Sequence, residues 1–292
     1  MSILAGKTVL ITGGNRGIGH AIGLRFAKEK ANIVILAKDS PSPHATINLH
    51  SATESIKAAG GNALAIDADI SNNDEIQTSI AKAVAEYGAI DILINNAACF
   101  CFADSINTST EQWDLLFSVN ARATFFLSQA CFPYLKQATN PHILNISPPL
   151  DMNPGWFKHH LAFTMSKYNM SMCTLGMAAE FRPAKIAVNS LWPQTTIATT
   201  TIKDHFLPNV YAGSRWPTIM ADAAFEIIQR DSKHFTGNFI IDEILLREIG
   251  ITDFTHYAVD PNSPLAQDLF VPENKDYGNE FSLSQELFKE SR

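Results

Sequence analysis

The chain has 292 residues, 46% of them hydrophobic, and a formal net charge of −7. That is enough for one large domain or two small ones around a sizeable core. The acidic balance without a long basic run excludes a general binder of nucleic acid, and no apolar stretch approaches the ~20 residues of a membrane span.

The first element sets the reading. The apolar run Thr8-Val9-Leu10-Ile11 leads into Thr12-Gly13-Gly14-Asn15-Arg16-Gly17-Ile18-Gly19, and a helix-like run from His20 to Lys30 follows. A buried strand, a glycine-rich turn and a helix N-terminus in this order form a phosphate cradle. Backbone N–H groups and the helix dipole both favour an anion there. Glycines let the chain turn sharply and let phosphates approach the backbone. Gly13, Asn15, Arg16, Gly17, Ile18 and Gly19 are therefore expected against a dinucleotide pyrophosphate.

Further along, apolar runs predict strands at Lys7–Thr12, Asn32–Ala37, Ala63–Asp67, Ile90–Asn95, His142–Ile146, Ile186–Leu191 and Asn238–Ile241. They are continuously apolar, as strands covered on both faces are. Helix-like segments lie near 17–30, 51–59, 73–87, 111–137, 157–181 and 217–230. Such alternation predicts an α/β fold, a single-domain doubly wound parallel sheet of about seven strands with helices on both faces. The domain is expected over residues 1–245, with 246–292 as a C-terminal extension packed on it or trailing from it. In that extension, 260–264 and 271–274 read as loop, and Phe281–Lys289 reads equally as a short amphipathic helix or a frayed tail. The segment Asp39–His50 holds two prolines and is long for a strand-to-helix connection.

At the end of the second strand, an NAD-dependent protein places a carboxylate against the ribose 2′-hydroxyl. Here the strand ends Leu36-Ala37-Lys38-Asp39. Ala37 stands in the acid's position, and Lys38 and Arg16 bring two cations toward a 2′-phosphate. NADP(H) is favoured, and Asp39 keeps NAD(H) open.

The spacing Gly-x-x-x-Gly-x-Gly, the sequence Asp69-Ile70-Ser71, the sequence Asn95-Asn96-Ala97-Ala98 and the pair Val119-Asn120 together resemble the short-chain dehydrogenase/reductase family, over roughly residues 5–245. The resemblance implies a Rossmann fold. It implies Asp69 on the adenine amino group, Asn96 and Ala97 beside the cofactor, and Asn120 tied through water to a catalytic lysine. Trp192-Pro193-Gln194-Thr195-Thr196-Ile197-Ala198-Thr199 resembles the family's loop over the nicotinamide. Pro193 would cover the ring, and Thr199 would reach the carboxamide or the pyrophosphate. Residues 195–216 would form an apolar lid containing Phe206, Leu207, Val210, Tyr211 and Trp216. The resemblance also implies a homodimer or homotetramer built through the fourth and fifth helices.

The family's catalytic pair, Tyr-x-x-x-Lys, appears here as Phe163-Thr164-Met165-Ser166-Lys167. Lys167 would bind the nicotinamide ribose. Phe163 lacks the hydroxyl that moves the proton, a loss on the order of 10²–10⁴ in rate for a reaction needing it. Tyr168 points about 100° away around the helix, toward a surface or an interface. His159 and His160 read as solvated loop residues or as alternative proton donors. Ser147 is the hydroxyl nearest the family's serine position, where Pro148 stands, and serves either to hold a carbonyl or to cap the strand end.

The expected function is hydride transfer between NADP(H) and an alcohol or carbonyl of a small apolar substrate, at low activity. The alternative is an inactive NADP(H)-binding sensor or scaffold. The N-terminus lacks a signal peptide's apolar core. Cys99, Cys101, Cys131 and Cys173 read as reduced thiols. Both features point to the cytoplasm, and no metal site is expected.

Overall fold

A computed structural model describes residues 2–39 and 48–271 of the chain. The loop expected after the second strand lies mostly outside the described residues. So do the loop after residue 271 and the tail at 281–289. Seven strands form one sheet: β1 (Thr8–Thr12), β2 (Asn32–Ala37), β3 (Asn62–Asp67), β4 (Ile92–Asn95), β5 (His142–Ile146), β6 (Ala187–Trp192) and β7 (Phe239–Ile241). Their order is β3-β2-β1-β4-β5-β6-β7, and every pairing is parallel. The chain winds outward in one direction from β1 to β3 and in the other from β4 to β7. The crevice between β1 and β4, at the strands' C-terminal ends, is where such sheets bind ligands.

The continuous apolar runs follow from burial on both faces. Val9 and Ile11 join the core under α1 (Gly17–Ala27) and the helix Thr218–Gln229, while Leu10 joins the core on the opposite face. Successive strand side chains point to opposite sides, so a strand covered twice has no polar face to show. The helix Thr218–Gln229 is fastened to α1 by the tilted packing of Phe26 on Phe225 and by the Arg25–Asp222 ion pair at 3.0 Å.

One segment departs from the sequence reading. The helix expected over 111–137 is three pieces: α2 (Thr110–Leu116), a π-helical turn at Phe117–Arg122, and α3 (Ala123–Leu135). Such wide turns are rare and gather at functional sites. This one carries the fully buried Asn120.

Beyond β7 a helix, α4 (Asp242–Glu248), follows, and the chain then folds back over the C-terminal end of β6. The Thr196 N–H donates to the Ala266 carbonyl at 2.8 Å, and Trp192 Nε1–H donates to the Leu269 carbonyl at 2.7 Å. Phe270 is fully buried against the rings of Trp156, Tyr168 and Trp192. Beneath this segment, the buried Arg215 guanidinium pairs with Glu243 at 2.6 Å and donates to the Phe254 carbonyl and to Thr195. It thereby joins the loop after β6 to α4.

His142, at the start of β5, is buried, and its Nε2 lies 3.1 Å from the Arg230 carbonyl oxygen, while Nδ1 has no partner. Burial lowers its pKa to about 4, against the Arg230 bond, which opposes the shift. The unfolded chain takes up a proton near pH 6.5 that the folded chain refuses until about 4. His142 therefore withdraws stability as pH falls through that window, by ~1.4 kcal/mol per pH unit. The buried carboxyls of Asp242 and Asp268, raised to about 7, act with the opposite sign. The comparison is accordingly with His142→Gln. Between pH 6.5 and 5, denaturant unfolding should show the native protein losing ~2 kcal/mol more than the variant. Equal losses would mean that His142 is protonated in the folded state.

Candidate active site

A cleft of about 590 Å³ runs along the C-terminal ends of the central strands, from the glycine-rich turn to Lys167. Its first wall is built as the spacing predicts. Gly13 and Gly17 have φ of +64° and +55°, a region that favours glycine. Asn96 binds the turn to β4: its Nδ2 donates to the Thr12 carbonyl at 2.9 Å, and the backbone N–H groups of Asn96 and Ala97 both donate to Thr12 Oγ1 at 3.0 Å. A Cβ on Gly19 would lie 2.5 Å from Asn96 Nδ2 and 2.7 Å from the Gly13 carbonyl oxygen. The N-cap of α1 is Arg16, extended and making no side-chain cap bond. The helix N-terminus, with Asn15 and Ile18 beside it, is left facing the cleft. Thr199 stands across it, its methyl 3.3 Å from where a Gly17 Cβ would be.

At the β2 end, Lys38, Asp39 and Asp69 all line the cleft. Lys38 pairs with Asp69 at 3.0 Å. Asp69 also accepts from the Ser71 hydroxyl and N–H, and the Ser71 hydroxyl, followed by Lys38, leads in holding its carboxyl below the usual range. Arg16 is exposed on the rim.

At the other end, the helix α5 (Leu161–Glu180) presents Phe163 and Lys167 one turn apart. Lys167 is 2% exposed. Its Nζ donates to the Ile146 carbonyl at 2.7 Å and lies 5.2 Å above the Trp192 ring. Burial lowers its pKa to about 7, opposed by Cys99 and Asp268. Phe163 is 1% exposed and packs against Phe100, Phe102 and Phe270 at ring distances of 5.5, 5.2 and 6.2 Å. Phe206 of the lid meets Phe102 edge-on at 5.6 Å, and Pro193 and Trp192 complete this end. In the lid, Leu207 and Val210 pack with Phe206, whereas Trp216 is 41% exposed and outside the cleft lining.

Three expected placements, those of Ser147, His160 and Tyr168, are corrected. Ser147 does not reach the cleft. Its hydroxyl is 2.8 Å from that of Ser190, which in turn meets Thr174 at 2.7 Å, because the end of β5 turns this side chain into the layer between β6 and α5. Asn120 reaches Ser166, Lys167's neighbour, at 2.9 Å and holds the backbone of Cys99 through both its N–H and its carbonyl. It braces α5 and the loop after β4. His160 is buried, 2.9 Å from the Thr164 hydroxyl, and burial lowers its pKa to about 4, so it is neutral at physiological pH. Tyr168 is also buried, under Phe157 and Phe270, donating to the Asp151 carbonyl. His159 is exposed.

Sequence reasoning missed Phe100, Phe102 and Asp268 as lining residues. Phe100 and Phe102 alternate with Cys99 and Cys101 directly after a strand, and that alternation is the signal that marks them. Asp268 lies in a segment without periodicity and had none. Its N–H donates to the Gln194 carbonyl at 3.0 Å, and burial raises its carboxyl pKa to about 7, opposed by the Leu269 N–H and by Lys167.

A binding crevice at the switch point of a parallel sheet, with a glycine cradle at one end and a buried lysine at the other, defines a class of dinucleotide-binding fold. Residues 7–206 match the short chain dehydrogenase family, and the chain belongs to it. Hydroxysteroid dehydrogenase-like protein 2 of Rattus norvegicus is 49% identical over 274 residues, which are 94% of this chain and 52% of that protein. The chain thus spans about half the length of that curated relative. A crystal structure from Xanthomonas campestris is 46% identical and superposes with a TM-score of 0.89, covering 92% of this chain and 99% of its own. A metagenomic short-chain oxidoreductase solved in complex with NADP is 26% identical, with a TM-score of 0.68, over 82% of this chain and 97% of its own. Among the described residues, no helix is long and apolar enough to cross a membrane, and all four cysteines are free.

Gly19→Ala should displace Asn96 from the knot between β1 and β4. A loss of ~1–3 kcal/mol is expected from such overpacking, read as a lower Tm of the protein without ligand. An unchanged Tm would show that the cradle has room to spare.

Proposed function

We propose that this protein binds NADP(H) in the cleft and passes hydride between it and the alcohol or carbonyl carbon of a small apolar substrate. The observation that carries this reading is the continuity of the cleft: one groove holds the glycine cradle, Lys167 and an apolar chamber walled by Phe100, Phe102, Phe163 and Phe206. The residues fit a dinucleotide. Gly13, Gly17 and Gly19 leave room that any Cβ would fill or strain. The bound nicotinamide supplies hydride chemistry that no side chain can supply. Lys167 orients the ribose, Asp69 and Lys38 flank the adenosine end, and Pro193 and Thr199 close over the nicotinamide and the pyrophosphate. The similarity to the NADP-complexed metagenomic enzyme agrees with this cofactor class. Exposed Phe125 on α3 and Met172 and Leu175 on α5 support a homo-oligomer built through these helices.

A second reading, a non-catalytic NADP(H) sensor, is favoured by one observation: Phe163 carries no hydroxyl. Turnover of a panel of aromatic and alicyclic carbonyls with NADPH separates the two. Turnover excludes the sensor, while binding without turnover excludes the enzyme.

NADPH should bind more tightly than NADH, because Lys38 and Arg16 lie at the end where a 2′-phosphate would sit. In calorimetric titration, Lys38→Ala should cost ~1–3 kcal/mol of NADPH affinity and leave NADH nearly unchanged. Equal affinities in the native protein would show that the Lys38–Asp69 pair occupies the cation. Lys167→Ala should weaken both cofactors, and an unchanged Kd in a folded variant would remove Lys167 from the binding site.

A further inference from the structure

A carbonyl that accepts hydride becomes an oxyanion and must gain a proton. The residues expected to give it do not. Phe163 has none to give. Ser147 is locked between β6 and α5 through Ser190, and His160 is neutral, bonded to Thr164 and outside the cleft lining. At the Lys167 end, the ionisable side chains lining the cleft among the described residues are Lys167 itself and Asp268.

Asp268 is held in place rather than trailing past. Its N–H is bonded to the Gln194 carbonyl, the next residue's carbonyl accepts from Trp192 Nε1, and Phe270 is fully buried behind it. One carboxyl oxygen, Oδ1, accepts from the Leu269 N–H at 2.6 Å. The other makes no hydrogen bond with the described residues. Lys167 and Asp268 are electrostatically coupled without ion-pair contact. The two therefore line this end of the chamber as an amine and a carboxyl that make no direct ion pair.

We propose that Asp268 exchanges the proton with the substrate oxygen in this site, in place of the hydroxyl missing at Phe163. The proposal rests on the hydride-transfer reading above. In reduction, the carbonyl carbon receives hydride with its electron pair from the reduced nicotinamide, and the π pair of the C=O bond moves to oxygen. That oxygen takes the proton of the Asp268 carboxyl. Asp268 is left as a carboxylate facing the Lys167 ammonium, and it is reprotonated from solvent through the cleft. The sum is a carbonyl, a reduced nicotinamide and a proton giving an alcohol and an oxidised nicotinamide. Oxidation of an alcohol runs the same transfers backwards, with Asp268 as the base.

Burial raises Asp268 to about 7, which keeps the acid form available near neutral pH. The charged and titratable groups around it are Lys167 on α5 and Cys99 after β4, which faces Lys167. Asp242 lies behind Gln194, accepting the Gln194 N–H, and the Glu243–Arg215 pair lies beyond it. Reduction needs the protonated carboxyl, so its kcat should fall as pH rises through about 7. Alcohol oxidation should rise over the same range. Lys167 titrates in the same region and is coupled to Asp268, so the assignment needs variants.

The test uses the full chain with NADPH and the carbonyl panel, together with infrared titration of the cofactor-free protein. The native protein should show a protonated-carboxyl C=O band near neutral pH that is missing in Asp268→Asn. This readout does not depend on turnover, and its absence overturns the proposal. Asp268→Asn should lower kcat by ~10²-fold or more with KM changed less than about threefold. Adding Phe163→Tyr to that variant should restore at least about tenfold. A loss of kcat that the tyrosine does not restore would make Asp268 structural and overturn the proposal. Native turnover that survives Asp268→Asn overturns it and leaves the oxidoreductase reading standing. Turnover by Phe163→Tyr but not by the native protein overturns it together with the hydride-transfer reading of the native chain, because the native site then lacks an acid. If neither protein turns over any carbonyl, both readings fall. Should Asp268→Asn not fold, a native kcat for reduction that is flat from roughly pH 5 to 9 overturns the proposal.

Discussion

Burying the amine of Lys167 is the constraint around which the site is arranged. A lone ammonium out of water costs several kcal/mol unless its protons and charge are met. Here it is met from separate parts of the chain: the Ile146 carbonyl where β5 ends, the Trp192 face where β6 ends, and the Asp268 carboxyl on the returning segment. Each of these elements ends at the same edge of the sheet, because every strand is parallel and its outgoing chain leaves from that side. The parallel topology thus concentrates strand ends, loops and the buried charge into one crevice. The same crowding pulls the Lys167 pKa down into the neutral range, where an amine can change charge state in use.

The aromatic wall follows from the same packing. With no hydroxyl at position 163, the ring needs no polar partner, and Phe100, Phe102 and Phe270 close around it. That leaves Lys167 and Asp268 as the ionisable side chains lining this end of the cleft among the described residues. Apolar walls also sharpen the electrostatics, since charges in low-dielectric surroundings act on each other more strongly than in water. The π-helical turn serves this arrangement at a distance. It swings Asn120 inward to hold Cys99 and Ser166, and so sets the spacing between the loop bearing Phe100 and the helix bearing Lys167.

Much of the fold was legible because its signals are local. β2 and β5 were placed residue for residue, since strands covered on both faces must be apolar throughout. The cradle was legible for a similar reason: a positive φ at Gly13 and Gly17 and the close approach at Gly19 are demands that one residue type meets. Other features were not. Helix geometry alone points Tyr168 outward, but α5 is buried nearly all round near its start and has no outward face there. Ser147 was judged by its distance along the chain from the family position, whereas its side-chain direction was settled by the Ser190 hydroxyl on the next strand. The break in the helix at 117–122 left no period change to read.

The amino-acid sequence by itself determined the doubly wound sheet, the glycine cradle and the pairing of Phe163 with Lys167 on one helix face. Each of these follows from neighbours within a turn or a strand, and hydrophobic period and backbone sterics act at that range. Only the tertiary structure decided what stands opposite Lys167. Asp268 enters the cleft because Trp192 bonds the Leu269 carbonyl and Phe270 fills the gap between Trp156, Tyr168 and Trp192. Those contacts join residues far apart in the chain, and they arise from shape and hydrogen-bond satisfaction in the packed core. No local pattern around residue 268 encodes them.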